Sequence, residues 1–249
     1  MKVSIITPSY NSERFILETY NSLLEQTHTN WEWLVTDDCS SDNTYKIVNE
    51  IAKKDERVKL ASNLVNSGAA IARNKSLSRA SGDFIAFLDS DDKWLPTKLA
   101  KQIEFMNDKN IDFCFTAYTL VDVHGLLKNE DVDVKSPKSV CYSDMLKKKA
   151  TIGCSTVMLR RLAFKYIEMP DIRTGQDYVL WISLLKTGAK AFKLQEVLTM
   201  YRIVPGSISR NKFKKALRQW EIYRKIERVS FIRSIWYFTH YGYRAVIRR

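Results

Sequence analysis

The chain has 249 residues, 45% hydrophobic and 27% charged, with only 8 Gly and 5 Pro. That is enough to bury one sizeable core and too little polar bias for a largely disordered protein. The net charge of +12 is uneven: residues 210–249 hold twelve Lys/Arg against Glu221 and Glu227, so +10 sits in the tail and +2 in the first 209 residues.

Cys39, Cys114, Cys141 and Cys154 lie far apart without a Cys-x-x-Cys spacing. This argues against a zinc site or a disulfide framework and fits a reducing cytoplasm. The N-terminus enters Val3-Ser4-Ile5-Ile6 directly, and no run of about 18 apolar residues occurs, so neither a signal peptide nor a membrane span is expected.

In chain order, Val3–Thr7 reads as a buried strand ending at Pro8-Ser9-Tyr10-Asn11. A helix follows from about Ser12 to Gln26, with Asn11 or Ser12 available as its cap and Phe15, Thr19, Leu23 and Leu24 as its stripe. Trp33–Thr36 is a strand stopping at Asp37-Asp38; a helix starts from Ser40-Ser41-Asp42, and Val58–Ser62 is a short strand. Asn63–Gly68 leads to a helix from Ala69 to about Arg79, and Ser81-Gly82 turns into the strand Phe84–Leu88. Such alternation predicts a Rossmann-like, mostly parallel sheet flanked by helices.

The second half is less regular. Lys98–Met106 and Gln176–Leu185 read as helices, the latter closed by Gly188. Phe113–Leu120, Cys154–Leu159 and Val197–Ile203 read as strands, the last ahead of Pro205-Gly206. Val123–Ser139 reads as a polar loop.

The apolar run Phe84–Leu88 meets Asp89-Ser90-Asp91-Asp92. An unbroken run is the mark of a strand covered on both faces, and open α/β sheets bind ligands beyond the carboxyl ends of their strands. An extended backbone there puts Asp89 and Asp91 on one side and Ser90 on the other. Two hard oxygen donors suit Mg²⁺ or Mn²⁺, completed by water and a substrate phosphate. The plainer alternative is an acidic turn in which Asp89 or Ser90 caps the next helix. Three strand ends carry polar clusters, Thr7–Asn11, Asp37-Asp38 and Asp89–Asp92, and a parallel sheet brings them to one edge.

Val3-Ser4-Ile5-Ile6-Thr7-Pro8-Ser9-Tyr10-Asn11, Leu34-Val35-Thr36-Asp37-Asp38-Cys39-Ser40-Ser41-Asp42, Asn66-Ser67-Gly68 with Ala72-Arg73-Asn74, and Phe87-Leu88-Asp89-Ser90-Asp91-Asp92 follow one another in an order that resembles family 2 glycosyltransferases of the GT-A fold. The closest likeness is to the bacterial branch that builds O-antigen, capsule or teichuronic-type glycans. It is dense over the first 100 residues and thinner through Gln176-Asp177 and Tyr201-Arg202.

The resemblance implies a metal-dependent, inverting transfer from a UDP-sugar to a hydroxyl of a lipid-linked glycan acceptor. Asp91 becomes the metal ligand, and Asp89 binds metal or ribose. Asp38 accepts the uracil N–H, with Asp37 the alternative one register away. Tyr10 edges the base over Thr7 and Pro8; Arg73 reaches base or phosphate; Gly68 and Ser90 complete the nucleotide-sugar site. Asp92 is left to cap or orient the next helix. Asp177 becomes the general base, although Gln176 stands where the family often has Glu. Arg202 and the Ser207/Ser209 loop are left to cover the phosphates. Residues by themselves also allow plainer roles: Asp38 and Asp177 as helix-start acids, Tyr10 as rim packing, Arg73 as a solvated helix charge.

The implied division is a domain over 1–209, with a donor half 1–122 and an acceptor half 123–209, followed by a basic amphipathic tail over 210–249. In the tail Phe213, Leu217, Trp220, Tyr223 and Ile226 share one helical face, and Phe231, Ile232, Ile235, Trp236, Phe238, Tyr241 and Tyr243 form an aromatic patch. This composition fits either an interfacial segment on an anionic leaflet or a terminal helix packed on the domain. The enzyme is therefore expected in the cytoplasm, held at the inner face of the membrane. A nucleic-acid-binding module without turnover is the rival reading of the basic tail, but it gives the acidic strand ends no role, so no nucleic-acid partner is expected.

Overall fold

The computed structural model describes residues 1–204 and 212–247. The first half alternates as expected: β1 (Val3–Ser9), α1 (Ile16–Leu24), β2 (Trp31–Asp37), α2 (Thr44–Ala52), β3 (Val58–Ser62), α3 (Ala69–Leu77) and β4 (Phe84–Phe87). Every residue of β1, β2 and β4 is buried, as an apolar run covered on both faces requires. These strands pair in parallel, β3-β2-β1-β4, with Ser9 level with Asp37, which brings their carboxyl ends to one edge.

The remaining elements are β5 (Lys93–Trp94), α4 (Lys98–Asp108), β6 (Phe113–Val121), β7 (Leu127–Val132), β8 (Ser139–Val140), α5 (Tyr142–Leu146), β9 (Met158–Arg160), α6 (Gln176–Lys186), β10 (Ala191–Arg202), α7 (Lys212–Glu221) and α8 (Phe231–Ile247). Beyond β4 the sheet becomes mixed. β9 runs antiparallel between β4 and β6, β10 lies parallel to β6, and β5 closes that side antiparallel to β10.

Three expectations are corrected in this half. The polar segment 123–139 is a loop only in part: β7 pairs with β6, and β8, which begins at Ser139, pairs with β10. Leu127–Val132 is almost wholly exposed, so its backbone pairing leaves no hydrophobic period to read. Cys154–Thr156 is a 3₁₀ turn rather than the start of a strand, and only Met158–Arg160 pairs. The last strand begins at Ala191, six residues before Val197, with bulges between Leu194 and Thr199 that hide its period.

Side chains of β1 alternate between two apolar layers. Ile6, Leu34, Phe87, Phe113 and Phe115 meet α5 and α6 on one side of the sheet; Ile5, Trp33, Phe84, Ala86, Leu99 and Met106 form the other. Trp181 of α6 stands edge-on to Phe87 and Phe113, with centroids 5.3 and 5.4 Å away.

The C-terminal helices pack on this body. Tyr223, in a π-helical stretch (Ile222–Ile226) linking α7 to α8, is fully buried and donates its hydroxyl to the Leu146 carbonyl at 2.5 Å. Glu227 accepts from Tyr142 Oη at 2.7 Å and from Lys186 Nζ at 3.0 Å. Of the two alternatives for the tail, packing therefore holds for this stretch. Pro205-Gly206, the Ser207/Ser209 loop and the Phe213 side chain lie outside the described residues.

Candidate active site

Four chain segments meet at the carboxyl edge of the parallel strands. β4 ends in the turn Asp89–Asp92, closed by the Asp92 N–H donating to the Asp89 carbonyl at 3.1 Å. Asp89 keeps about a quarter of its side-chain surface exposed and pairs with Arg73 Nη2 at 2.5 Å. Asp91 is partly exposed, and among the described residues its carboxylate meets no hydrogen-bond donor other than its own backbone N–H.

Burial, then the neighbouring charge of Asp89, pushes the Asp91 carboxyl up to about 6, against the pull of Arg202 and Arg73. Among the described residues no group of three or more His, Cys, Asp or Glu is arranged to hold a metal. Two adjoining carboxylates that burden each other fit an ion taking the rest of its shell from water and phosphate, and Asp89 with Asp91 are the pair that would hold it.

Asp92 departs from expectation. It is buried and caps no helix, since α4 begins six residues later. Its Oδ2 accepts from Ser155 Oγ at 2.5 Å and its Oδ1 from the Arg202 N–H at 2.9 Å. Burial and the charges of Asp91 and Asp89 hold its carboxyl well above the usual range. Ser155 also accepts the Asp89 N–H at 3.1 Å, so the 3₁₀ turn and β10 together clamp the acidic turn. No local sequence signal marks Ser155, because its partners lie more than 60 residues away.

Arg202 does not cover a phosphate. Its side chain is 0% exposed: Nε donates to the Asp91 carbonyl at 2.9 Å, Nη1 to the Val123 carbonyl at 3.1 Å, and Nη2 pairs with Glu18 at 2.7 Å. The guanidinium lies over the Phe15 ring at 4.6 Å.

Arg73, on α3, is nearly buried rather than solvated. Burial opposes its charge, but the carboxylates of Asp89 and Asp177 beside it keep the guanidinium firmly protonated. Its Nε is buried without a partner among the described residues. Asp177 stands in the first turn of α6, after Gly175 with φ 76°. It is partly exposed at its surface yet recessed, and burial raises its carboxyl while Arg73 pulls it down. The preceding Gln176 side chain donates to the Arg173 carbonyl at 3.3 Å. Asp89, Arg73 and Asp177 thus share one electrostatic field.

The nucleotide-side residues divide. Tyr10 is half exposed at the edge. Thr7 and Pro8 are buried; the Thr7 hydroxyl donates to the Leu88 carbonyl at 2.7 Å and accepts from Trp33 Nε1 at 2.8 Å, locking β1 to β4. Ser90 faces inward, 2.7 Å from Ser12 Oγ. Ser12 therefore ties the acidic turn rather than capping α1 with its side chain, and the Asn11 side chain accepts the Ser41 N–H.

Asp38 accepts from Asn63 Nδ2 at 2.7 Å and from the backbone N–H groups of Ser67 and Gly68 at 2.9 and 2.7 Å, which shapes the loop before α3. Gly68, at φ 91°, supplies the left-handed turn that this loop needs. Asp37 spends its oxygens on Ser40 and Ser9.

A family model described as glycosyl transferase family 2 matches residues 4–167. TuaG of Bacillus subtilis (strain 168), a candidate glycosyltransferase of teichuronic acid biosynthesis by name, is 47% identical over 247 residues, covering 99% of this chain and 97% of its own. WfgD of Escherichia coli, named a UDP-Glc:alpha-D-GlcNAc-diphosphoundecaprenol beta-1,3-glucosyltransferase, is 42% identical over 221 residues, 88% of this chain and 84% of its own.

Among solved structures, S. aureus TarS 1–349 in complex with UDP-GlcNAc superposes with a TM-score of 0.73 at 25% identity, over 90% of this chain. This chain spans 65% of that one, just under two thirds of its length. The central sheet flanked by helices is that of the GT-A fold. With close relatives along nearly its whole length and a family model over most of its sheet, the chain belongs to glycosyl transferase family 2.

Proposed function

We propose that this glycosyltransferase moves a sugar, with inversion, from a UDP-sugar to a hydroxyl of a lipid-linked glycan in cell-surface polysaccharide biosynthesis, working in the cytoplasm at the inner face of the membrane. The single observation that carries the reading is the carboxylate pair Asp89 and Asp91 at the end of β4, with Arg73 and Asp177 in the same field. The lipid-linked acceptor is supported by the name of WfgD, and the donor by the TarS complex with UDP-GlcNAc.

In this reading residues 1–122 bind the donor, 123–209 the acceptor, and 210–249 form the tail. Asp38 has three of about four acceptor positions filled by its loop, and the uracil N–H takes the last. Tyr10 lies against the base, above the locked Thr7-Pro8 backbone. Gly68 and Ser90 shape the walls of the nucleotide-sugar site. Asp89 and Asp91 would hold Mn²⁺ or Mg²⁺, and the charge of that ion would stabilise the departing diphosphate.

Asp177 takes the proton of the acceptor hydroxyl as its oxygen bonds to the anomeric carbon. The bond from that carbon to the diphosphate breaks on the opposite face, and UDP leaves with the electron pair. The raised affinity of Asp177 for protons suits a base that must accept one.

The test is Asp91→Asn, assayed by UDP-sugar turnover and by the rise in melting temperature that UDP plus Mn²⁺ produces. Both are expected to fall sharply. A variant with unchanged turnover and an unchanged shift removes Asp91 from the site.

A further inference from the structure

α8 carries apolar side chains on two opposite sides. Toward the body, Ser234 is fully buried and Tyr237 and Phe238 pack on the core. With 3.6 residues per turn, Phe231, Ile232, Ile235, Trp236 and Tyr243 fall together on the outer side, and all five are exposed, Ile232 by 81%. A terminal helix that merely covers a domain turns polar residues outward. This one turns outward a ridge of two isoleucines and three aromatic rings.

The charge that α8 itself carries has one sign. Residues 231–247 include Arg233 and Arg244 and no acid. Arg228 and Arg233 are exposed beside the ridge. Glu227, the nearest acid before it, is turned inward to Tyr142 and Lys186. A second copy of this chain would set these basic rims against each other, whereas an anionic surface complements them. Aromatic residues with a polar edge, such as Trp236 and Tyr243, favour the boundary between water and acyl chains.

We propose that the outer face of α8 is the surface by which this chain lies on an anionic phospholipid leaflet, the ridge in the headgroup boundary and Arg228 and Arg233 on its rim. The inference rests on the lipid-linked acceptor proposed above and adds how the enzyme is oriented toward it. α8 is not a loose tether: Trp220 of α7 stands edge-on to Phe231 and Phe238, with centroids 6.0 and 5.5 Å away. Arg218, two residues earlier, donates Nε to the Thr174 carbonyl at 3.1 Å, and Gln219 Nε2 donates to Tyr178 Oη at 3.3 Å. The lipid-facing helix is thereby fixed to the turn that carries Asp177. Docking of α8 sets the acceptor side of the site against the leaflet from which a lipid-linked sugar rises.

The experiment is co-sedimentation of the full chain with vesicles of phosphatidylcholine alone or mixed with phosphatidylglycerol. Wild type is expected to pellet with the mixed vesicles, less at high salt, and little with phosphatidylcholine. Ile232→Glu with Trp236→Glu is expected to lower vesicle affinity roughly tenfold or more, while UDP plus Mn²⁺ raises its melting temperature as in wild type. Should that variant fail to fold, Arg228→Ser with Arg233→Ser reads the same contact, with a smaller loss and a flatter salt dependence.

Wild type left in the supernatant at low salt, or an Ile232/Trp236 variant that pellets equally, overturns the proposal. So does a lipid-free dimer that the same substitutions convert to monomer, since the ridge then belongs to a second copy. UDP-sugar turnover without vesicles separates the two readings. Its loss with vesicle binding intact counts against the proposed function alone, and its persistence without vesicle binding against this inference alone.

Discussion

Arg73 and Asp89 form an ion pair of 2.5 Å in which the guanidinium is nearly buried and the carboxylate retains contact with solvent. The same guanidinium acts on Asp177, so one buried cation serves both the carboxylate at the end of β4 and the carboxylate at the start of α6.

Replacing Arg73 by Gln should therefore change the acid limb of the pH–rate profile. Arg73 is what pulls the Asp177 carboxyl down against its burial. Without it Asp177 stays protonated to higher pH, and kcat should begin to fall at a higher pH than in wild type. Arg73→Lys retains the charge and should shift the limb less. Coincident acid limbs in all three proteins would show that Arg73 does not tune this group.

Asp177→Asn separates binding from chemistry. UDP affinity should stay within about twofold, while kcat falls about 10²–10⁴-fold, the usual contribution of general base catalysis. The same variant should be more heat-stable at neutral pH. Asp177 has its folded-state affinity for protons raised by burial, so its favourable contribution is present at low pH and is lost as pH rises through the folded value. Asparagine never takes on the charge. Thermal melts should show the gain at pH 7 and its disappearance in acid; a loss of stability at pH 7 contradicts this assignment of the cost.

The parts of the molecule that could be read in the sequence are those whose cause is local. β1, β2 and β4 are dominated by apolar residues because both faces are covered, and acids follow where β2 and β4 stop. Gly68 stands where the loop turns left-handed. β7 escaped because Lys128-Asn129-Glu130-Asp131 is solvated on both faces and held by its backbone, although the Asp122–Gly125 turn before it is a signal: Asp122 accepts the N–H groups of His124 and Leu126. The burial of Arg202 escapes the sequence because a lone arginine at the end of a strand looks like a free cation. Its partner Glu18 lies 184 residues away, and only the closed sheet brings the two together.

Glu32 offers a stability test away from the site. It is almost fully buried on β2. Burial by itself would raise its carboxyl, but Lys2 and Lys59, each at 2.7 Å, with Ser4 and Ser81, overcome that and hold it far below the usual carboxylate range. A depressed value contributes stability above the unfolded carboxylate range, about 4.3, and that stability is lost as pH falls through the folded value. Glu32→Gln should cost about 2 kcal/mol at pH 7, since both lysines stay partly exposed and recover some hydration. Denaturant melts should show the gap between variant and wild type closing as pH drops below about 4. A gap that does not change with pH rejects the charged network as its source.

Arg202 gives the sharpest test of how the acidic turn is held. Its backbone N–H fixes Asp92, its Nε fixes the Asp91 carbonyl, and the flat guanidinium lies between Glu18 and the Phe15 ring. Lysine keeps the charge but presents a point donor in place of a planar fork, so it cannot reach all these partners from one position. Arg202→Lys should therefore weaken UDP binding in the presence of Mn²⁺ about tenfold, the effect expected when a group supporting a metal ligand is lost. UDP binding without metal should change less, because Asp38 and Tyr10 lie on other segments. Glu18→Gln removes only the exposed partner and should cost less in both. Calorimetry with and without Mn²⁺ reads the difference. If Arg202→Lys lowers the melting temperature but leaves the metal-dependent part of UDP affinity intact, the arginine supports the fold and does not position Asp91.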